Sequence, residues 1–418
     1  MITKIILYIF ILIPILSVSL IAQPFQIEWD GINKELDSGK IQSAKPLLNA
    51  LFIKAKSQKQ MPSMLKCIIH LAAISGRSNE PDDKSIILTL QQFKDSVDTK
   101  PEKAIIDYFI AEGLRNYYHY TLEDIRKRPH LNADINDFNL MDTWHQTQFH
   151  QAIRDRIKSS LQDSSILLSI PGRTYSELLR IKDGSESFRP SLYDLIVYSS
   201  IALLEKLDQD VDRGYRPVVS DVRILQSASI FLQSSVIDLK GYDLEFGMIR
   251  DRISLYQSLL RNHSKDKDQS AYIDANIQRL IGVFPTLSID AKDSLLINAL
   301  LDIGNDPSSH PSQANAMMEA VLHCLNTDQP GKAYEICNRI IERFPNTKSA
   351  EQSKIQQGKI RNKSLNITVQ QYILPGKPFI FRSEYANIDK FYCRIYKLSE
   401  EVEKKIKKRR YRDSYLDK

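Results

Sequence analysis

Residues 312–354 read SQANAMMEAVLHCLNTDQPGKAYEICNRIIERFPNTKSAEQSK. Apolar residues recur every three or four positions on both sides of the break Thr327 to Gly331, which predicts two helices, each with one face to bury. On the second helix Ala333 is followed by Cys337, Ile340 and Pro345 at offsets of four, seven and twelve. Pro345, which cannot continue a helix, stands just past its last apolar positions.

The same habit extends outward over Ile27 to about Asn362. LLNALFIKA, IIDYFIAEGLRNYY, FHQAIRDRI, SLYDLIVYSSIALLEKL, FGMIRDRISLYQSLL and AYIDANIQRLIGVF all carry the three-and-four spacing. Between them stand Pro81, Pro129, Pro171, Pro190, Pro217, Pro285 and Pro307, read as helix ends. Amphipathic helices in succession with short connections predict a mainly α chain, an α-solenoid of helical pairs. The helical array is placed at 23–310 and a further helical unit at 311–362. The latter resembles a tetratricopeptide repeat, which implies that Ala333 lets two helices approach, that Cys337 and Ile340 fill the seam between them and that Pro345 ends the helix; it departs at Val321, where such a repeat usually carries a small residue. The resemblance fades upstream, where EWDGINKELDSGKIQSAKPLLNALF keeps the Trp, Gly and Ala flavour at other spacings.

Near the C-terminus the chemistry changes. In SLNITVQQYILPGKPFIFRSEYANIDKFYCRIYKL, three runs rich in Ile, Val, Phe and Tyr are separated by Pro-Gly-Lys-Pro and Ala-Asn-Ile-Asp, which predicts three strands within 363–398. Three strands open a β domain without completing one. Residues 399–418 form a charged tail in which KKIKKRRYR lies beside Glu400, Glu401 and Glu403. Mixed charges of this kind read as a solvated helical face, and no nucleic-acid partner is expected.

At the other end, Lys4, the apolar run Ile5 to Ile21 and the small residue Ala22 have the layout of a secretory signal peptide over 1–22, cut between Ala22 and Gln23. The run is close to the lower length of a spanning helix, so an uncleaved anchor is the alternative; Pro14 and the length favour cleavage. Export to the periplasm or cell surface follows, with no stable membrane span after cleavage. The formal charge of +6 is spread thinly over 418 residues. Four cysteines, Cys67, Cys324, Cys337 and Cys393, are too few for a disulfide framework and show no Cys-x-x-Cys spacing. Cys324 and Cys337 fall on facing helices, where a disulfide is geometrically possible and two packed thiols are the preferred reading.

No catalytic motif is present: there is no Gly-x-Ser-x-Gly, no phosphate-binding Gly-rich loop and no His-Glu-x-x-His. His145 and His150 are about 140° apart on a helix, which places them on different faces. Asn132, Asp134, Asn136 and Asp137 hint at a calcium loop, but Asp137 stands where a glycine is needed and Thr143 where a bidentate Glu is needed. That stretch, like Asp208, Asp210 and Asp212 beside Arg213 and Gly214, reads as a solvated loop. Trp29, Trp144 and the cluster Tyr117, Tyr118, His119, Tyr120 are read as filling seams between helices rather than lining a ligand groove. No enzyme activity, cofactor or metal is expected.

Several segments together resemble one family. DTWHQTQFHQAIRDRIKSSLQDSSILLSIPGRTYSELL, then SFRPSLYDLIVYSSIALLEKL, then the tetratricopeptide-like unit leading into the strand runs, are similar in order to the amino-terminal region of large bacterial alpha-2-macroglobulin family proteins of the Bacteroidetes type. That resemblance implies a secreted or periplasmic inhibitor that traps proteases through a bait region, often with a thioester in a Cys-Gly-Glu-Gln sequence. Here Cys67 precedes Ile-Ile-His, Cys324 Leu-Asn-Thr, Cys337 Asn-Arg-Ile and Cys393 Arg-Ile-Tyr, so no thioester can be placed on this chain. It implies a non-catalytic region lacking bait and thioester, with proteases or cell-envelope proteins as partners and residues 363–398 opening the first β-sandwich. A free-standing exported helical-repeat scaffold that binds a protein or peptide is the alternative.

Overall fold

The computed structural model describes residues 25–75, 83–131, 133–175, 184–210, 219–233, 243–370, 376–394 and 399–402, with isolated positions between them. The expected signal segment 1–22 and the Ala22–Gln23 junction lie outside the described residues, as does the basic run beyond Lys404. The protein is mainly α-helical with one short two-stranded antiparallel sheet, and it divides into two units, Met1–His323 and Cys324–Lys418.

The first unit begins with α1 (Gln26–Asp37), α2 (Ile41–Ser57), α3 (Met61–Ser75), α4 (Asp83–Asp95) and α5 (Lys100–Tyr120), each packed on the next. Their buried positions follow the helical period. On α2 they are Ala44, Leu48, Leu51 and Ala55, the first three of which close over Trp29 and Ile32 of α1 and Cys67 of α3. Pro46 lies inside α2, so proline does not end every helix here.

Simple stacking stops at α5. That helix buries Ala104, Ile105, Ile106, Tyr108, Ile110, Ala111, Leu114 and Tyr118, positions that run around most of its circumference. A helix apolar on so many sides must be covered from several directions. After the short α6 (Leu122–Ile125), α5 is covered by α7 (Gln146–Ser160), α8 (Ser164–Ser169) and α9 (Leu192–Gln209) as well as by α4. Next come α10 (Ala228–Gln233), α11 (Asp243–His263), α12 (Ser270–Val283) and α13 (Lys292–Gly304), with α11 packed on α9, α7 and α12.

Local sequence starts these helices. At α7, Thr147 N donates to His145 Nδ1 and His145 N to Gln148 Oε1; at α9, Asp194 N donates to Ser191 Oγ and Ser191 N to Asp194 Oδ2. The two proline breaks before α9 are tied to each other: Gly172 N donates to Pro190 O and Leu192 N to Ile170 O. A Cβ on Gly172 would sit 3.0 Å from Leu195 and 3.1 Å from the Arg189 carbonyl, so a larger residue there would have to push these neighbours by a few tenths of an ångström.

The helix α14 (Gln313–Asn326) runs across the division between the units. In the second unit α15 (Pro330–Arg343) packs on α16 (Lys348–Arg361), and a hairpin of β1 (Ser364–Val369) and β2 (Phe381–Ala386) follows. Ala333, Cys337 and Ile340 on α15 are fully buried, and Pro345 is exposed just beyond the helix end. The seam is close because α16 buries only Ser349, Ala350 and Ser353. Ala333→Leu should overpack this region and lower stability by about 1 to 3 kcal/mol, read from the urea unfolding midpoint. An unchanged midpoint would show that Ala333 has room around it.

Candidate functional site

The hairpin is where the protein departs most from a finished surface. Ladder pairs Leu365 with Tyr385, Ile367 with Ser383 and Val369 with Phe381, so these six side chains share one face. The other face carries Ser364, Asn366 and Thr368 opposite Ala386, Glu384 and Arg382, with Arg382 paired to Glu384 at 2.6 Å. Period-two alternation has thus produced one apolar and one polar face. The apolar face is uncovered: Leu365, Ile367, Val369, Phe381 and Tyr385 are 41, 42, 48, 43 and 60% exposed.

The hairpin is anchored at one end. Asn387, in the left-handed conformation at φ 56°, donates through Nδ2 to Ile360 O at 2.6 Å and Asn362 O at 2.9 Å, satisfying carbonyls at the end of α16. Among the described residues two of the three expected strands form. Residues 391–394 carry no strand, and 395–398 lie outside the described residues.

The other sequence candidates resolve into packing and charge pairs. Trp29 and Trp144 are buried, Tyr118 is buried against Phe149 and His150, and Tyr117 stacks on Phe149 while its hydroxyl donates to Asp142 at 2.7 Å. Tyr120 fills no seam, being 72% exposed at the end of α5. Asp134 Oδ1 accepts from Asn136 N, and Asp137 Oδ1 accepts from Asn139 N to cap a 3-10 helix over Phe138–Thr143, so these carboxylates serve local turns. Asn132 lies outside the described residues. His145 caps α7, whereas His150 is buried in the core. None of the four cysteines is in a disulfide: Cys67, Cys324 and Cys337 are buried and Cys393 is exposed, and burial pushes the Cys324 and Cys337 thiols up from their ordinary pKa.

One reading needs correction. Asp208 and Asp210 do not belong to a solvated loop. Asp208 is in the last turn of α9, 3.9 Å from Arg252 of α11. Asp210, at the helix end, is buried with Arg115 at 2.9 Å and His119 at 2.7 Å, both on α5, while Arg126 donates to its carbonyl. Alternating carboxylates look solvent-facing until cations from distant helices are brought to them. Asp212, Arg213 and Gly214 lie outside the described residues.

Three charged centres carry no sequence motif of their own. Asp107 on α5 joins α4 and α7 through Lys94, Arg156 and Ser159. Arg279 on α12 is buried and reaches two backbone carbonyls. His263, the last residue of α11, lies between Asp194 at 2.8 Å and Asp266 at 2.7 Å. Only Asp194 left a trace in the sequence, as the fourth residue of the Ser-x-x-Asp cap of α9. With Ser191 Oγ donating to Asp194 Oδ2 at 2.7 Å, the order is hydroxyl, carboxylate, imidazole, carboxylate. The hydroxyl is bonded to the acid and not to the imidazole, so this is not the arrangement that activates a serine nucleophile.

Among the described residues no group of three or more His, Cys, Asp or Glu side chains is placed to hold a metal ion, and no helix is long and apolar enough to cross a membrane. No protein-family model, no curated protein and no solved structure matches the chain.

Proposed function

We propose that the chain is the non-catalytic helical amino-terminal region of an exported alpha-2-macroglobulin-type protease inhibitor, and that its hairpin supplies the opening strands of a β-sandwich. The observation that carries this reading is the uncovered apolar face of β1 and β2. A sheet with one apolar and one polar face is built to pack that face on a second sheet about 10 Å away. A two-stranded hairpin without such cover is marginal in water. Further strands of the same inhibitor, pairing with the open edges and closing over Leu365, Ile367 and Phe381, would supply it. The helical units then act as a scaffold, bait and thioester functions fall to domains outside this chain, and proteases or cell-envelope proteins are the partners.

Amide hydrogen exchange on the 418-residue chain tests this. Residues 364–386 should exchange quickly and be nicked early by added protease, while 311–345 stay protected. Protection of the hairpin equal to that of 311–345 would sink the sandwich reading. A free-standing exported scaffold that binds a protein or peptide would then take its place.

A further inference from the structure

In the first unit, α12, α13 and the turn entering α10 enclose a cleft of about 430 Å³. That is within the range of small-molecule sites, about 300 to 1,000 Å³. Ile273, Ala299 and Ile303 give it apolar walls, and Ser229, Tyr272 and Asn276 bring neutral hydrogen-bonding groups to it.

Three charged residues line the same cleft, and two of them, Arg279 and Asp302, form no ion pair with each other. Arg279 is 2% exposed; its Nε donates to Asn276 Oδ1 at 2.8 Å, Nη1 to Ile224 O at 2.5 Å and Nη2 to Gln226 O at 2.6 Å, and its guanidinium lies 4.5 Å from the centre of the Phe231 ring. Those bonds occupy three of the five N–H donors. No carboxylate forms an ion pair with Arg279 among the described residues, and a buried cation without a counter-charge is costly. Burial lowers its pKa to about 9, which leaves it charged at neutral pH. On α13 the Asp302 side chain is exposed and makes no ion pair among the described residues. Asp306, one turn on, already accepts from Ser308 N at 3.0 Å and Gln313 Nε2 at 3.3 Å.

We propose that this cleft binds a small amino-acid-like zwitterion, a free amino acid or dipeptide, with its carboxylate toward Arg279 and its ammonium toward Asp302. The ligand would supply the counter-charge that the protein withholds from Arg279. Its side chain would lie against Ile273, Ala299 and Ile303. A purely structural Arg279, tying the chain before α10 to α12, accounts for the carbonyl contacts and leaves both the open volume and the free acid of Asp302 without a role. This inference is independent of the hairpin and of the inhibitor reading.

The test is thermal unfolding of the full chain with millimolar standard amino acids and simple dipeptides, beside their N-acetylated and C-amidated forms. At least one zwitterion should raise Tm, and either blocked form should bind about tenfold more weakly or worse, as loss of a charge-assisted contact requires. Asp302→Asn should cost a similar factor. Ala299→Leu, which adds bulk at a half-buried position lining the cleft, should abolish the shift while leaving the unliganded Tm nearly unchanged. Arg279 is left intact because it also holds Ile224 and Gln226. No shift with any zwitterion, a shift shared equally by the amidated forms, or a shift that survives Ala299→Leu would each overturn the proposal.

Discussion

Asp107→Ala should lower the unfolding free energy by about 3 kcal/mol, the low end of the cost of breaking a buried ion pair. Asp107 is 2% exposed, and both of its carboxylate oxygens are used. Oδ1 accepts from Lys94 Nζ at 2.6 Å and Arg156 Nη1 at 3.2 Å, and Oδ2 from Ser159 Oγ at 2.6 Å. One carboxylate therefore fastens α4 and α7 to α5, the helix on which the first unit is built. Alanine would leave two cations facing each other without their shared anion. The Lys94 and Arg156 side chains keep 18 and 15% exposure, so both regain some water, which holds the loss to the lower end of the range. The measurement is the urea midpoint at unchanged slope. Replacing the whole centre with Asp107→Leu, Lys94→Met and Arg156→Met should restore most of the loss, because the desolvation cost of three charged groups disappears with their attraction. A loss below about 1 kcal/mol for Asp107→Ala would place the centre with ordinary surface pairs.

Stability should also fall by about 3 kcal/mol as pH drops from 6.5 to 4, through His150. Burial, followed by the charges of Arg154 and His145, lowers this imidazole to about 4. Neither ring nitrogen has a hydrogen-bond partner among the described residues, and Tyr118 packs edge-on against the ring. Above pH 6.5 the imidazole is neutral in both folded and unfolded chains, and its titration contributes no slope. Between 6.5 and 4 the unfolded chain takes up a proton that the folded chain refuses, so each pH unit removes about 1.4 kcal/mol. Below about 4 both states are protonated and the loss levels off.

His263 acts on the opposite flank. Burial works to lower its pKa, but the hydrogen bonds and charges of Asp194 and Asp266 together outweigh burial and leave it raised. Its stabilising contribution is complete below the unfolded value and is lost as pH rises through the folded one. Urea midpoints across pH should separate the two histidines. His150→Leu should flatten the acid limb, and His263→Gln should flatten the alkaline limb. An acid limb unchanged by His150→Leu would mean that the folded protein protonates this ring as readily as the unfolded chain does.

Helix existence and helix ends were legible from residues 312–354 outward because each depends on neighbours within a few positions. The spacing of Ala44, Leu48 and Leu51 and the break at Pro190 need no distant partner to be read. The strand chemistry of 364–386 was legible for the same reason, since alternation of apolar and polar side chains is also local. Charge was not. Asp210 is buried because Arg115 and His119, about ninety residues earlier, arrive on another helix, and the same holds for Asp107 with Arg156 and for His263 with Asp194. A carboxylate in sequence looks like solvent-facing polarity; whether it is buried is settled by the cation that packing delivers to it. The exposure of the hairpin's apolar face is of the same kind. Alternation defines a face, and whether that face is covered depends on which other chain segments reach it.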